Sequence, residues 1–508
     1  MEKRLLLAIG LSLLVLTLWS NLMLKSSPTT VTAPTVSAIS TFKQADAPQA
    51  IQIGQKQDAN IPIAQDYLTF ERDFGSVVFI ETQAAIKEVT FNQYQKFQYP
   101  LKYGLLLNDG EYNYKKQSSS ENEIVFVQSD ENKKIIKRFI FSKVGYSVDL
   151  EIEIQNLSNK PLKMNLPLVL GVFDFNNKEE SRFQDVSIET TERTLRPGLR
   201  KDAEFNDIRF LGMRDRYFCT IVEPLDKGFS GFVKKINANE SEVGLLPQET
   251  IIAPAQKLVK GFRVYIGPQD SGIIGKIKPE WTVVMYYGTF DIIAKVLLQV
   301  LEVLFKIFHN WGVAIIVLSL LVYVVLFPLS MKQMRSMKQM QALQPLIESL
   351  RETCKDNPQK LNKETLELYK KHKVNPFSGC LPMILQLPIF FSLYQAIMRL
   401  ISLKGAHFLW IKDLSQPDRL FLLPTSLPVI SNEFNVLPIL MAIGMFVQQK
   451  ASATSTSSAS AEQQKIMMIV FPIMFGFIFY RMPSGLVLYW FVNSALMLAY
   501  QLKLSKNK

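Results

Sequence analysis

The chain has 508 residues, too many for one ordinary domain, with 57 Lys and Arg against 45 Asp and Glu, a net charge of +12 and 48% hydrophobic residues. With a mean hydropathy of +0.10, this balance argues against a soluble nucleic-acid binder and for a membrane protein, whose cytoplasmic loops collect Lys and Arg. Three cysteines without a C-x-x-C spacing argue against a disulfide framework, and three histidines (His309, His372, His407) leave little for zinc or imidazole catalysis.

In chain order, residues 5–24 are uncharged between Arg4 and Lys25. A bilayer core of about 30 Å needs roughly 20 helical residues, so this run is long enough to span. It exceeds a signal-peptide apolar region of about 7–15 residues, and no A-x-A site follows Leu24. Residues 1–25 therefore read as an N-terminal transmembrane signal anchor. Residues 26–60, rich in Ser, Thr, Pro, Ala and Gln, read as a flexible tether.

From 61 to 280 the pattern turns to period two. Val148, Leu150, Ile152 and Ile154 alternate with Asp149, Glu151 and Glu153. Comparable runs at 77–80, 123–127, 136–141, 163–173 and 262–266, punctuated by Asn, Gly and Pro, predict an antiparallel β-sandwich. No histidine lies between 26 and 280, and the carboxylates follow strand alternation like a solvated face. Sugar chemistry, which needs a His or a carboxylate pair in a cleft, is not supported. Cys219 is expected to be a lone buried thiol.

Residues 281–306 are expected to form an amphipathic, interfacial segment. The uncharged run 307–331 carries the second transmembrane helix (307–330). Runs 374–398, 434–449, 466–480 and 482–502 place four more within 377–502, with loops at 402–433 and 450–465. The two shorter runs, at ~1.5 Å per residue, fall short of ~30 Å and predict local bilayer thinning. This makes six spans.

Between the second and third spans, 331–376 reads as a helical hairpin turning at Asp356-Asn357-Pro358. Pro345 is expected to kink its first arm. Its basic residues, among them Lys332, Arg335, Lys338, Lys370, Lys371 and Lys373, fit either a plain connector or a docking arm for RNA, lipid head groups or an acidic protein. With Tyr369 its one aromatic, sequence-specific nucleic-acid recognition is not expected. Ten cations against five acids put 331–376 in the cytoplasm, while the balanced loop 402–433 falls outside. Lys503, Lys506 and Lys508 form a basic cytoplasmic tail (503–508). Both termini are then cytoplasmic, and 61–280 is on the outer side.

Several longer words stand out along the chain. They are Asn310-Trp311-Gly312, Gly379-Cys380-Leu381-Pro382, Gln386-Leu387-Pro388-Ile389-Phe390, Phe408-Leu409-Trp410-Ile411-Lys412-Asp413-Leu414 and Met482-Pro483-Ser484-Gly485-Leu486. With Gly212-Met213-Arg214-Asp215-Arg216-Tyr217-Phe218 in the β region, the chain resembles the YidC/Oxa/Alb membrane protein insertase family, of the Gram-negative YidC type.

The resemblance implies a polytopic α-helical protein of the bacterial inner membrane. Five helices would form the insertase core, and the β region would be a periplasmic supersandwich. It implies no enzyme activity, catalytic residue, metal or cofactor. The implied partners are nascent membrane proteins, the ribosome, the Sec translocon and membrane lipids. The implied activity moves hydrophobic segments from the cytoplasm into the bilayer through a polar groove. An unsatisfied polar group at the bilayer centre costs several kcal/mol, so such a segment needs a wet half-path.

Candidate groove residues are Ser319, Tyr323, Gln386, Ser392, Gln395, Asn493 and Ser494, with Tyr489 and Trp490 at the entry. Helix–helix hydrogen bonding is the simpler explanation for the polar ones taken singly. Tyr323 occupies the slot where most bacterial relatives place an arginine, so attraction of acidic substrate tails by a groove cation does not carry over. A small-solute transporter is the alternative reading, but no internal repeat supports it.

Overall fold

A computed structural model describes residues 51–52, 66–143, 145–354, 358–372, 381–427, 431–452 and 459–506. The expected anchor (1–25), most of the tether, Lys373 and residues 453–458 lie outside the described residues. The chain divides into two units, Met1–Asp215 with Thr220–Ile266, and Arg216–Cys219 with Gly267–Lys508.

The first unit is β-rich. A nine-stranded sheet runs in the order Thr194–Leu195, Asp185–Thr190, Ile208–Arg214, Phe218–Pro224, Lys257–Pro268, Ser147–Asn156, Lys133–Phe141, Glu123–Ser129, Lys115–Ser119. Next to its central strand, Lys257–Pro268, lies the strand whose alternation is plainest in sequence. Ser147–Asn156 pairs antiparallel on both sides, with Leu150 opposite Phe139 and Phe262. Val148, Leu150, Ile152 and Ile154 are all buried. A five-stranded sheet includes Phe229–Lys235, Glu240–Pro247 and Leu168–Asp174, and a four-stranded one runs from Tyr67–Arg72 to Phe97–Gly104. The apolar stretch 163–173 splits into Leu162–Met164 and Leu168–Asp174, since Pro167 has no N–H for a ladder. Ile51 and Gln52, inside the expected tether, pair in parallel with Leu162 and Lys163.

The second unit is helical. Its main helices are α1 (Asp291–Phe308), α2 (Trp311–Ala342), α3 (Gln344–Thr353), α4 (Pro358–Lys371), α5 (Leu381–Arg399), α6 (Val436–Ser452), α7 (Ala459–Phe479) and α8 (Ser484–Lys506). A two-stranded hairpin, Phe421–Leu427 with Ser431–Phe434, lies between α5 and α6. Trp311–Lys332 in α2 and Ser484–Lys503 in α8 are long and apolar enough to cross a membrane, and Val436–Lys450 and Met468–Phe479 are shorter apolar stretches. α8 packs against α6, α2 and α5, α7 packs against α6, and α1 packs against α2 and α5.

Two helices run beyond the apolar stretches they carry. α2, with its membrane-length apolar stretch at Trp311–Lys332, continues through Pro328 to Ala342, with Ser330 Oγ donating to the Leu326 carbonyl at 3.2 Å. The break comes at Leu343, and Pro345 sits in the first turn of α3, where its missing N–H costs no helical bond. α7 begins at Ala459, so its helix has 21 residues although its apolar stretch is shorter.

Candidate functional site

At one end of the helical unit the chain is tightly cross-tied. His309 closes α1 in the left-handed region at φ 52°, and Asn310 Oδ1 accepts from Val313 N at 3.1 Å, an N-cap for α2. Trp311 stacks on Phe305 with ring centroids 4.1 Å apart. Beside it the Phe408 ring lies so close to Gly312 that a Cβ there would come within 2.1 Å. Asp418, 2% exposed, accepts from Val436 N at 2.9 Å, Leu437 N at 2.8 Å and Trp410 Nε1 at 3.2 Å. Its carboxylate thus holds the positive end of the α6 dipole. Asn435 Nδ2 donates to the Tyr480 carbonyl at 2.8 Å, and Tyr480 Oη donates to the Glu433 carbonyl at 2.8 Å. The backbone N–H groups of Ser484 and Gly485 donate to Gln416 and Leu414 carbonyls at 2.7 and 3.0 Å. These ties join the start of α6, the end of α7 and the start of α8.

Burial is concentrated at that same end. Trp311, Ala314, Ile315, Leu318 and Ser319 of α2 are buried, and none of 320–332 is. In α8, 484–489 are buried, but Ser494 is the one buried residue between 490 and 503. Among the described side chains of α5 the buried ones lie between Phe390 and Arg399, while 386, 388 and 389 are partly covered and Leu387 and Phe391 are exposed. The ends carrying Lys332, Gln386 and Lys503 therefore lack the close packing of the ends carrying Trp311, Arg399 and Ser484.

The nine candidate residues fall along this gradient. Gln386 Nε2 donates to Tyr489 Oη at 2.7 Å, joining α5 to α8 near the transition. Asn493, one turn on, donates through Nδ2 to the Tyr489 carbonyl at 3.1 Å. Ser319 is fully buried and donates to the Ile315 carbonyl of its own helix at 2.7 Å. Ser392 Oγ donates to the Phe290 carbonyl, just before α1, at 3.3 Å. For these two hydroxyls the hydrogen bonds within the helical packing are already made. Tyr323 and Gln395 are half-buried and Ser494 is buried. Tyr323 lies 5.9 Å from Phe327, whose ring meets Tyr500 of α8 edge-on at 4.9 Å. Trp490 sits among Phe390, Phe475 and Phe479 at 5.3–5.7 Å. A cavity of about 920 Å³ lies elsewhere, between α6 and α7, and none of the nine lines it.

Of the hairpin cations, Lys332, Arg335, Lys370 and Lys371 are exposed. Lys338 lies within α2. α3 and α4 pack against each other.

The β-rich unit holds a titratable cluster absent from the sequence expectation. Asp109 and Lys133 are buried with Oδ2 and Nζ 3.4 Å apart, and Gln128 Nε2 donates to Asp109 Oδ2 at 3.2 Å. Burial raises the Asp109 pKa despite the neighbouring ammonium. Lys137, fully buried, donates to the Ala84 and Leu105 carbonyls at 2.6 and 2.7 Å. Burial pushes its pKa down to about 7. A neutral amine has two N–H donors and here meets two carbonyls. Strand parity points to both lysines: 133, 135, 137, 139 and 141 share the buried face of one strand.

Among the described residues no group of three His, Cys, Asp or Glu side chains could hold a metal ion. The chain thus joins a β-rich unit to a set of apolar helices cross-tied at one end. The profile described as 60Kd inner membrane protein matches residues 303–508, and that of the YidC periplasmic domain matches 89–300. The chain is 30% identical to the membrane protein insertase YidC of Pelobacter propionicus over all of its length and 99% of the relative's. It is 34% identical to that of Cupriavidus pinatubonensis over 76% of this chain and 68% of the relative. A crystal structure of an active YidC insertase with its first transmembrane domain resolved matches at 20% identity and a TM-score of 0.40, over 86% of this chain and 92% of the other. The chain belongs to the YidC family of membrane protein insertases, whose members are named for insertion and not for catalysis.

Proposed function

We propose that the helical unit takes hydrophobic segments of nascent membrane proteins from the cytoplasm into the inner membrane, through a polar groove open to cytoplasm and lipid. The observation carrying this reading is the burial gradient: helices tied and packed at one end, and uncovered toward the end that holds the hairpin cations. With six spans, both termini and the hairpin in the cytoplasm and the β-rich unit as a periplasmic supersandwich, the tied end is the outer one. The groove then stops at Ser319, Ser392 and the Gln386–Tyr489 pair. It opens past Tyr323, Trp490, Asn493 and Ser494, and Gln395 lies with Ser392 at its closed side.

A half-path of this kind shortens the apolar distance a polar segment must cross. Tyr323 offers a hydrogen bond and no charge there, so wetting and not ion pairing lowers the barrier. Lys332, Arg335, Lys338, Lys370, Lys371 and Lys373 would dock the ribosome or the emerging segment. The Sec translocon is a further partner in this reading.

Purified chain in proteoliposomes, offered a small single-span client in parallel with radiolabelled solutes, tests the proposal. Protease-protected client without solute uptake is the expected result. Uptake without client insertion would replace this reading with a transporter.

A further inference from the structure

The cavity between α6 and α7 is unused by the groove reading. Its walls are bulky apolar side chains, among them Ile439, Ile443, Ile469 and Ile473, and its floor is small. A Cβ built at Gly476 would sit 3.1 Å from the Ala442 Cβ, so the helices meet there and the larger side chains stand up on both sides. The crevice ends at Tyr480 and at the exposed Arg481, at the tied end of the unit.

Three measures identify an occupant. From Ile469 to Arg481 the wall rises about 18 Å at ~1.5 Å per residue, close to one leaflet of a ~30 Å core. A volume of about 920 Å³ drawn out over that length suits a slender, extended apolar ligand. A single cation stands at the interfacial end of an otherwise apolar channel, the arrangement that suits a phosphate with hydrocarbon below it and not a spanning helix.

We propose that this crevice is a binding site for a phospholipid of the outer leaflet, with its phosphate on Arg481 and its tails between α6 and α7. The leaflet assignment rests on the topology proposed above, while the chemistry of the site does not.

The test is native mass spectrometry of the full chain in detergent, titrated with dioleoylphosphatidylglycerol and, separately, with dioleoylglycerol. One phosphatidylglycerol should be retained per chain in preference to dioleoylglycerol. Arg481→Gln should weaken it roughly tenfold, the loss of one charge-assisted contact. Arg481→Lys should keep part of the binding, Ile473→Trp should block it by filling the crevice, and Lys450→Gln should leave it unchanged. Unchanged melting temperatures separate these effects from misfolding. Equal binding by wild type and Arg481→Gln, or equal retention of the two lipids, overturns the site. So does a photo-crosslinker at position 473 that captures the client while lipid binding is unaltered. Client insertion measured on the same preparations fails on its own if the insertase reading is wrong, and lipid retention then stands or falls separately.

Discussion

Gln386 and Tyr489 meet across α5 and α8 at 2.7 Å, where the packed half of the helical unit gives way to the uncovered half. An interhelical hydrogen bond in a membrane contributes about 0.6–2 kcal/mol. Tyr489→Phe and Gln386→Leu should each lower the melting temperature in detergent, and the double variant should cost less than the sum, because both remove the same bond. Strict additivity would show that the pair is not coupled.

Ser319 spends its hydroxyl within α2, and Tyr323 lies beyond the packed region. Tyr323→Phe should therefore slow insertion less than Gln386→Leu combined with Ser319→Ala. Growth under depletion of the endogenous insertase measures this, and equal growth of the two variants contradicts the ranking.

Gly312 owes its place to the Phe408 ring. Gly312→Ala forces that ring or α2 to move and should destabilise the unit by about 1–3 kcal/mol, the usual cost of overpacking. Phe408→Leu added to Gly312→Ala should recover part of the loss in a thermal unfolding assay. No recovery would locate the cost in the backbone.

Asp418→Ala removes three accepted hydrogen bonds and the charge at the start of α6. A lost cap costs about 0.5–2 kcal/mol, and hydrogen exchange of the first turn of α6 should speed up accordingly. Asp418→Asn keeps an acceptor oxygen and should fall between Ala and wild type.

Lys137 gives a pH dependence with a definite sign. Its folded pKa is about 7 against an ordinary 10.5, so between those values the unfolded chain holds the extra proton. Stability of the β-rich unit should rise with pH across that window, by at most ~1.4 kcal/mol per pH unit. Lys137→Met should flatten this slope, as read from exchange protection of 133–141.

The strands were most legible where parity was strict. Ser147–Asn156 could be read residue by residue, because one face meets the core and the other does not. The same parity also pointed inward at Lys133 and Lys137, but a charged residue on the buried face is readable only when its partners are known. Ala84, Leu105 and Asp109 are distant in sequence. The cross-ties around Asp418, Asn435 and Tyr480 were hidden for that reason too, since loop residues contribute backbone partners that no periodicity marks. Among the groove candidates, polarity along a helix marked positions but not directions, so Ser319, bonded within its own helix, looked like Gln386, which reaches across.

α2 runs 32 residues from Trp311 to Ala342, about 48 Å at ~1.5 Å per residue, well beyond a bilayer core of about 30 Å. The surplus turns make it a stiff mast. A 10° tilt at Pro328 would swing its tip, about 21 Å farther along, by roughly 4 Å. In the proposed topology a small adjustment at Pro328 is thereby magnified at the arm that α3 and α4 carry, while the ring of Phe327, beside it, meets Tyr500 of α8.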